Sequence, residues 1–92
     1  MICLTLDFDP VKNLNNLHKH GYPLSLARHL YWELALIWSD LRKPYLEKRM
    51  SALVPMGDTL FFVSFVDRGS VRRVISLRQA NSREVKRYVE NT

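Results

Sequence analysis

Lys19 and His20 stand side by side ahead of Gly21, and Arg49 and Arg78 stand in later stretches that are rich in strand-forming residues. An imidazole titrates close to neutral pH, so His20 is the first candidate for moving a proton. Arg49 and Arg78 are the candidate phosphate clamps, because a guanidinium offers a planar fork of donors and stays charged at every working pH. Glu84 can serve as a base, or can buttress Arg78 and favour the start of a helix; support is the reading preferred here. Ser51, Ser64 and Ser76 place hydroxyls on the same stretches as the arginines, and strand order decides whether they share a face with them.

Each of these residues also has a plain structural reading. Lys19 and His20 complement the negative end of a helix dipole and can bond its last carbonyls, worth typically about 0.3 to 1 kcal/mol. Arg49 has Glu47 on its own side of a strand pattern and can simply pair with it. Trp32, Trp38 and Tyr88 fit packing or partner contacts better than nucleobase stacking or catalysis. A metal site is not expected: His18 and His20 are two residues apart and point to different sides of a helix, and His29 is isolated. No cofactor is implied.

The elements that must position these groups follow from spacing. Residues 2–8 read as a short strand, and Asp9 with Pro10 supplies an N-cap and a first-turn proline for a helix running to His20. Val11, Leu14, Leu17 and His18 are expected on its buried side, with Lys12, Asn16, Lys19 and His20 forming a polar stripe opposite. Gly21 suits the left-handed residue that ends this helix. Leu26, Ala27, Leu30 and Tyr31 predict a second amphipathic helix over 23–32.

Strands are expected over 34–39, 47–54, 59–66 and 71–77, with a polar connection over 40–45, a turn at Pro55 to Asp58 and a hairpin closed by Asp67 to Ser70. The 59–66 segment is apolar on both faces and belongs in the middle of the sheet. Asn81 or Ser82 caps a last helix ending near Tyr88, with Val85 and Tyr88 or Val89 as its buried contacts. The architecture is α+β: a short N-terminal strand, two helices, an antiparallel β-meander and a C-terminal helix packed on the sheet.

Ninety-two residues, of which 47% are hydrophobic and 25% charged, make one domain (1–92) with a single modest core. The net charge of +5 points to an anionic partner, nucleic acid or an acidic protein segment. Arg72, Arg73, Arg83, Lys86 and Arg87 concentrate that charge in the last third of the chain. Cys3 is the only cysteine, so no internal disulfide can form. No signal peptide and no run of about 20 apolar residues is legible, so a cytoplasmic protein without membrane attachment is expected.

Order and spacing together carry a family resemblance. Phe8-Asp9-Pro10, Lys12, Asn16, Lys19-His20-Gly21, Leu24 and Ala27 are followed by Glu47, Arg49, Asp67-Arg68-Gly69, the run from Arg73 to Ala80, Glu84 and Tyr88. In this the chain resembles the BrnT toxins, over nearly its whole length. Pro23 stands where the family usually has Ser or Thr, and Val54 about where a glycine usually ends a strand.

The resemblance implies a RelE-like fold and the toxin of a type II toxin-antitoxin pair. It also implies metal-independent endoribonuclease activity, with RNA as substrate. The implied partner is a BrnA-like ribbon-helix-helix antitoxin, forming a hetero-oligomer that reaches operator DNA through the antitoxin and represses its own operon. Lys19, His20, Arg49 and Arg78 would then carry RNA binding and cleavage, with Lys12, Asn16, Glu47, Arg73 and Glu84 supporting the site or touching RNA. The alternative is a non-catalytic basic module that only binds an antitoxin or nucleic acid.

Overall fold

The computed structural model describes residues 5–44 and 46–92. The first part of the expected 2–8 strand, Cys3 and Tyr45 lie outside the described residues. The element order is β1 (Thr5–Asp7), α1 (Pro10–His20), two 3-10 turns (Leu24–His29 and Trp32–Leu34), β2 (Leu36–Ser39), β3 (Met50–Met56), β4 (Thr59–Arg68), β5 (Val71–Gln79) and α2 (Ser82–Glu90). The architecture is α+β, as the sequence predicts. The five strands lie in the order β1-β5-β4-β3-β2; β2 to β5 form the antiparallel meander, and β1 adds in parallel to β5.

β4 occupies the centre, and its two-sided hydrophobicity is the reason: Phe61, Val63 and Phe65 enter the core, while Phe62 and Ser64 lie on the other face. Both hairpins, at Gly57-Asp58 and Gly69-Ser70, place a glycine first, with φ of 59° and 60°. Positive φ at the first loop position is what a tight type II′ connection needs. Pro55 belongs to β3 rather than to the turn. It lies beyond Leu53, the last residue paired with β2, where that edge of the strand takes its backbone bond at the Pro55 carbonyl, from the Tyr31 N–H at 2.9 Å, so no N–H is needed from Pro55.

Helix α1 begins as its sequence dictates. The Asp9 carboxylate accepts from the Val11 and Lys12 amides, and Gly21, at φ 83°, closes the helix by donating to the Leu17 carbonyl. The side expected to be buried faces outward instead, while Lys12, Asn16, Lys19 and His20 do lie along one side as expected. Val11, Leu14 and Leu17 are 66%, 57% and 40% exposed, His18 is exposed too, and Asn16 is the residue that is buried.

The physical reason is an open strand edge. β1 covers β5 only as far as Arg73, so the outer edge of β5 further on would be left without partners. The Asn16 amide supplies them, donating to the Leu77 carbonyl at 2.6 Å and accepting from the Leu77 N–H at 3.2 Å. It also donates to the Tyr22 carbonyl at 2.7 Å, which ties the helix end to the following segment. Asn16 is therefore turned toward the sheet, where it satisfies backbone groups that would otherwise be buried without partners.

The segment expected as one helix over 23–32 is instead two 3-10 turns. Leu24, Ala27 and Leu30 are the buried positions, at a spacing of three, and that period stacks side chains in one row of a 3-10 turn. They pack on Ala52, Val54, Phe61, Val63, Phe65, Val74 and Leu77 to form the core. β2 starts at Leu36 rather than at residue 34, because Trp32–Leu34 forms the second turn. β3 starts at Met50 rather than at Glu47, because β2 ends at Ser39, the partner of Met50, with one further backbone bond from the Asp40 N–H to the Arg49 carbonyl.

α2 is capped by a reciprocal pair, Glu84 N–H to the Asn81 side chain and Asn81 N–H to the Glu84 carboxylate, both 2.9 Å. None of its residues is buried; Val85, expected inside, and Val89, expected there as the alternative to Tyr88, are 42% and 67% exposed. The helix is held from the surface instead. Tyr88 donates its hydroxyl to the Leu34 carbonyl at 2.7 Å, and Arg87 lies over the Trp38 ring.

Candidate functional site

The sheet face opposite the core carries the chemistry. Trp38, Ser51, Ser64 and Ser76 are cross-strand neighbours from β2 to β5 and form one row, and Leu53, Phe62 and Arg78 form the next. The three serines therefore do share a face with Arg78. On one side of this face stands the end of α1, with Lys19 and His20; on the other stands α2, with Glu84 and Arg87. The cleft enclosed between them has a volume of about 580 Å³.

Arg78 is fixed in this cleft from two directions. Its Nη1 and Nη2 donate to the two Glu84 oxygens at 2.8 and 2.9 Å, and its guanidinium lies 4.5 Å from the centre of the Phe62 ring. A forked pair stacked on an aromatic ring leaves little rotational freedom, and the guanidinium is presented in one pose. Burial would raise the pKa of Glu84, but the Arg78 fork and the Asn81 amide outweigh it and hold the carboxyl below the usual range. Glu84 is thus a fixed anion that positions Arg78.

His20 is half-buried at the helix end. Burial, the Lys19 ammonium and the Arg78 guanidinium all depress its pKa below the ordinary imidazole value, in that order of importance. The side chain is accordingly neutral at pH 7 and has a free lone pair to receive a proton. Lys19 remains exposed beside it.

The other expected site residues form a second cluster. Lys12, Glu47, Arg49 and Arg73 line a depression of about 300 Å³ together with Arg68 and Ile75. A smaller hollow of about 180 Å³, lined by Lys12, Asn16, Lys19, His20 and Ser76, shares residues with both. Arg49 does not line the cleft that holds His20 and Arg78. Glu47 does not serve Arg49 as expected from their alternation: its carboxylate pairs with Arg68, Nε to Oε2 at 2.7 Å, and that bond lowers its pKa. Arg73 donates to Asp7 at 2.6 Å.

A bulge in β5 decides which arginine faces the site. Ser64 pairs with Ser76 and Phe65 with Val74, so Ile75 is the extra residue and the alternation shifts by one. Arg73 is thereby brought to the face of Arg78, and Arg72 to the core side. Arg72 is buried over the rings of Trp32 and Phe65, at 4.7 and 4.1 Å, and pairs with Asp67 at 2.8 Å. It therefore does not share the exposed basic surface of the last third of the chain and is part of the packing.

Trp32 is an anchor as expected, with its indole N–H on the Ala27 carbonyl at 2.8 Å. Trp38, expected as a packing or partner contact, lines the cleft as well. Only the strand register that sets it beside Ser51 reveals this. Among the described residues no group of three His, Cys, Asp or Glu side chains converges in a way that could hold a metal ion.

A family model described as the ribonuclease toxin BrnT of type II toxin-antitoxin systems matches residues 8–84. The match runs from just before α1 to the start of α2 and contains every residue of both clusters named above except Arg87. No curated protein matches the chain.

Proposed function

Because the chain belongs to the BrnT family of type II ribonuclease toxins, we propose that it is an endoribonuclease whose reaction takes place in the cleft between α1, the sheet and α2. The observation that carries this is the convergence of Lys19, His20 and Arg78 on one cleft, with His20 held neutral by its surroundings.

In the proposed reaction the neutral His20 imidazole takes the proton from a ribose 2′-OH. The 2′-oxygen attacks the adjacent phosphorus, and the bond to the 5′-oxygen breaks. Arg78, steadied by Glu84, faces the phosphate as negative charge builds on its oxygens, and such preorganised donors commonly supply the greater part of an enzyme's rate enhancement. The departing 5′-oxygen takes a proton from the Lys19 ammonium. The products are a 2′,3′-cyclic phosphate and a 5′-hydroxyl, and no step uses a metal. Lys12, Arg49 and Arg73 hold a neighbouring phosphate in the second depression, while Asn16 keeps the end of α1 in place.

The inhibitor in this scheme is a BrnA-like ribbon-helix-helix antitoxin, and the hetero-oligomer binds operator DNA through it and represses its own operon. The type II family and the net charge of +5, which suits an acidic segment laid over the cleft, support this. Among the described residues no helix is long and apolar enough to cross a membrane.

Expression of the chain alone, followed by growth and RNA-integrity measurements, tests the function: arrest with RNA fragmentation is expected, relieved by co-expression of the antitoxin. Soluble chain that leaves growth and RNA untouched would overturn it.

A further inference from the structure

Trp38 is a large aromatic residue of the cleft that the reaction above does not use. It lies on the same face and in the same cross-strand row as Ser76, and lines the same cleft as His20 and Arg78. Its ring is only partly buried, tilted 60° against Phe62 at 6.0 Å between centroids. One face is covered by the Arg87 guanidinium, 3.9 Å from the ring centroid.

Arg87 is an exposed residue of a helix with no buried side chain, so its hold on the ring is a surface contact that a competitor can displace. A planar cation on an indole marks the place where a nucleobase also stacks well. β2 and β5 are three strand spacings apart, about 14 Å. Trp38 and Arg78 both reach the Phe62 ring, at 6.0 and 4.5 Å from its centroid, so the indole and the guanidinium lie closer together than the strands that carry them.

We propose that Trp38 is the nucleobase platform of the site: a base next to the scissile phosphate stacks on its indole in place of Arg87. This rests on the ribonuclease function above. Stacking is tolerant of base identity, so the platform positions the strand and favours an unpaired, flexible RNA over a duplex.

The test is a protein-by-RNA mutant cycle on short single-stranded oligonucleotides that the wild-type chain cleaves, each carrying one abasic nucleotide at a successive position around the cleavage point. One abasic position is expected to lower wild-type kcat/KM about 5- to 150-fold. In Trp38→Ala the intact oligonucleotide is cleaved that much more slowly, and the same abasic position has no further effect; Trp38→Phe retains part of the abasic effect. Arg87→Ala leaves the abasic effect in place.

An indole that only holds α2 would slow cleavage equally for intact and abasic RNA, and that result overturns the platform while the nuclease function stands. An abasic effect undiminished in Trp38→Phe and Trp38→Ala, or removed by Arg87→Ala alone, overturns it as well. Should Trp38→Ala not fold, Trp38→Leu with the Trp38→Phe series decides the same question. A wild-type chain that cleaves none of the oligonucleotides would instead sink the underlying function.

Discussion

At His20, partial burial and two neighbouring cations act in the same direction on one proton, and the consequences are measurable. In the folded state the imidazolium is disfavoured, so the unfolded chain binds more protons than the native one between the depressed pKa and 6.5. Stability therefore rises with pH through that window, and His20→Gln removes this dependence from the unfolding profile. An NMR titration of the His20 ring is expected to show a midpoint below 6.5, moved upward in Arg78→Ala as one of the depressing cations is lost. For a base that must be neutral, kcat/KM climbs with pH below about 6.5 and levels off above it. Glu84 shows the opposite design, a carboxylate kept ionised. Glu84→Gln can retain the cap at Asn81 but loses the charged fork on Arg78, and thermal unfolding is expected to show a loss of about 1 kcal/mol for this partly exposed pair.

At the scale of elements, α1 shows why an amphipathic pattern alone misleads. Leu14 at 57% exposed and Asn16 buried invert the usual rule, because the helix replaces a missing strand along β5 rather than completing the core. Stability measurements separate the two arrangements. Leu14→Glu is expected to change unfolding free energy by less than about 0.5 kcal/mol. Asn16→Ala strands the Leu77 and Tyr22 backbone groups and costs about 1–3 kcal/mol. The reverse order of effects would contradict the observed orientation.

Strands are easier to read than helices in this chain. The two-sided hydrophobicity of β4 locates it centrally, and the glycine-led turns locate both hairpins. What stays hidden depends on pairing. The bulge at Ile75 exchanges the faces of Arg72 and Arg73, and no local pattern announces it. The 3-10 turns are masked because a spacing of three at Leu24, Ala27 and Leu30 overlaps a helical one.

Across the whole molecule, a net charge of +5 with cations gathered in two depressions predicts salt-sensitive RNA binding. Single-stranded binding loses affinity with a log–log slope of about −0.7 per phosphate contact. Arg49→Ala, in the second depression, is expected to reduce that slope by about one contact, while the pH profile set by His20 is unchanged. Lys19, His20 and Arg78 are readable as candidates from residue type and order. Their convergence, and the separation of Arg49 from them, requires the fold.

The proposed role of His20 is tested by a single-turnover cleavage assay with purified chain, RNA and EDTA, comparing wild type with His20→Gln at pH 7. The wild type is expected to yield 2′,3′-cyclic phosphate and 5′-hydroxyl ends at a rate unaffected by EDTA, and His20→Gln to be slower by about 10²- to 10⁴-fold. Folded wild-type chain that leaves RNA intact would contradict the nuclease function, and a His20→Gln variant that cleaves at the wild-type rate would contradict His20 as the base.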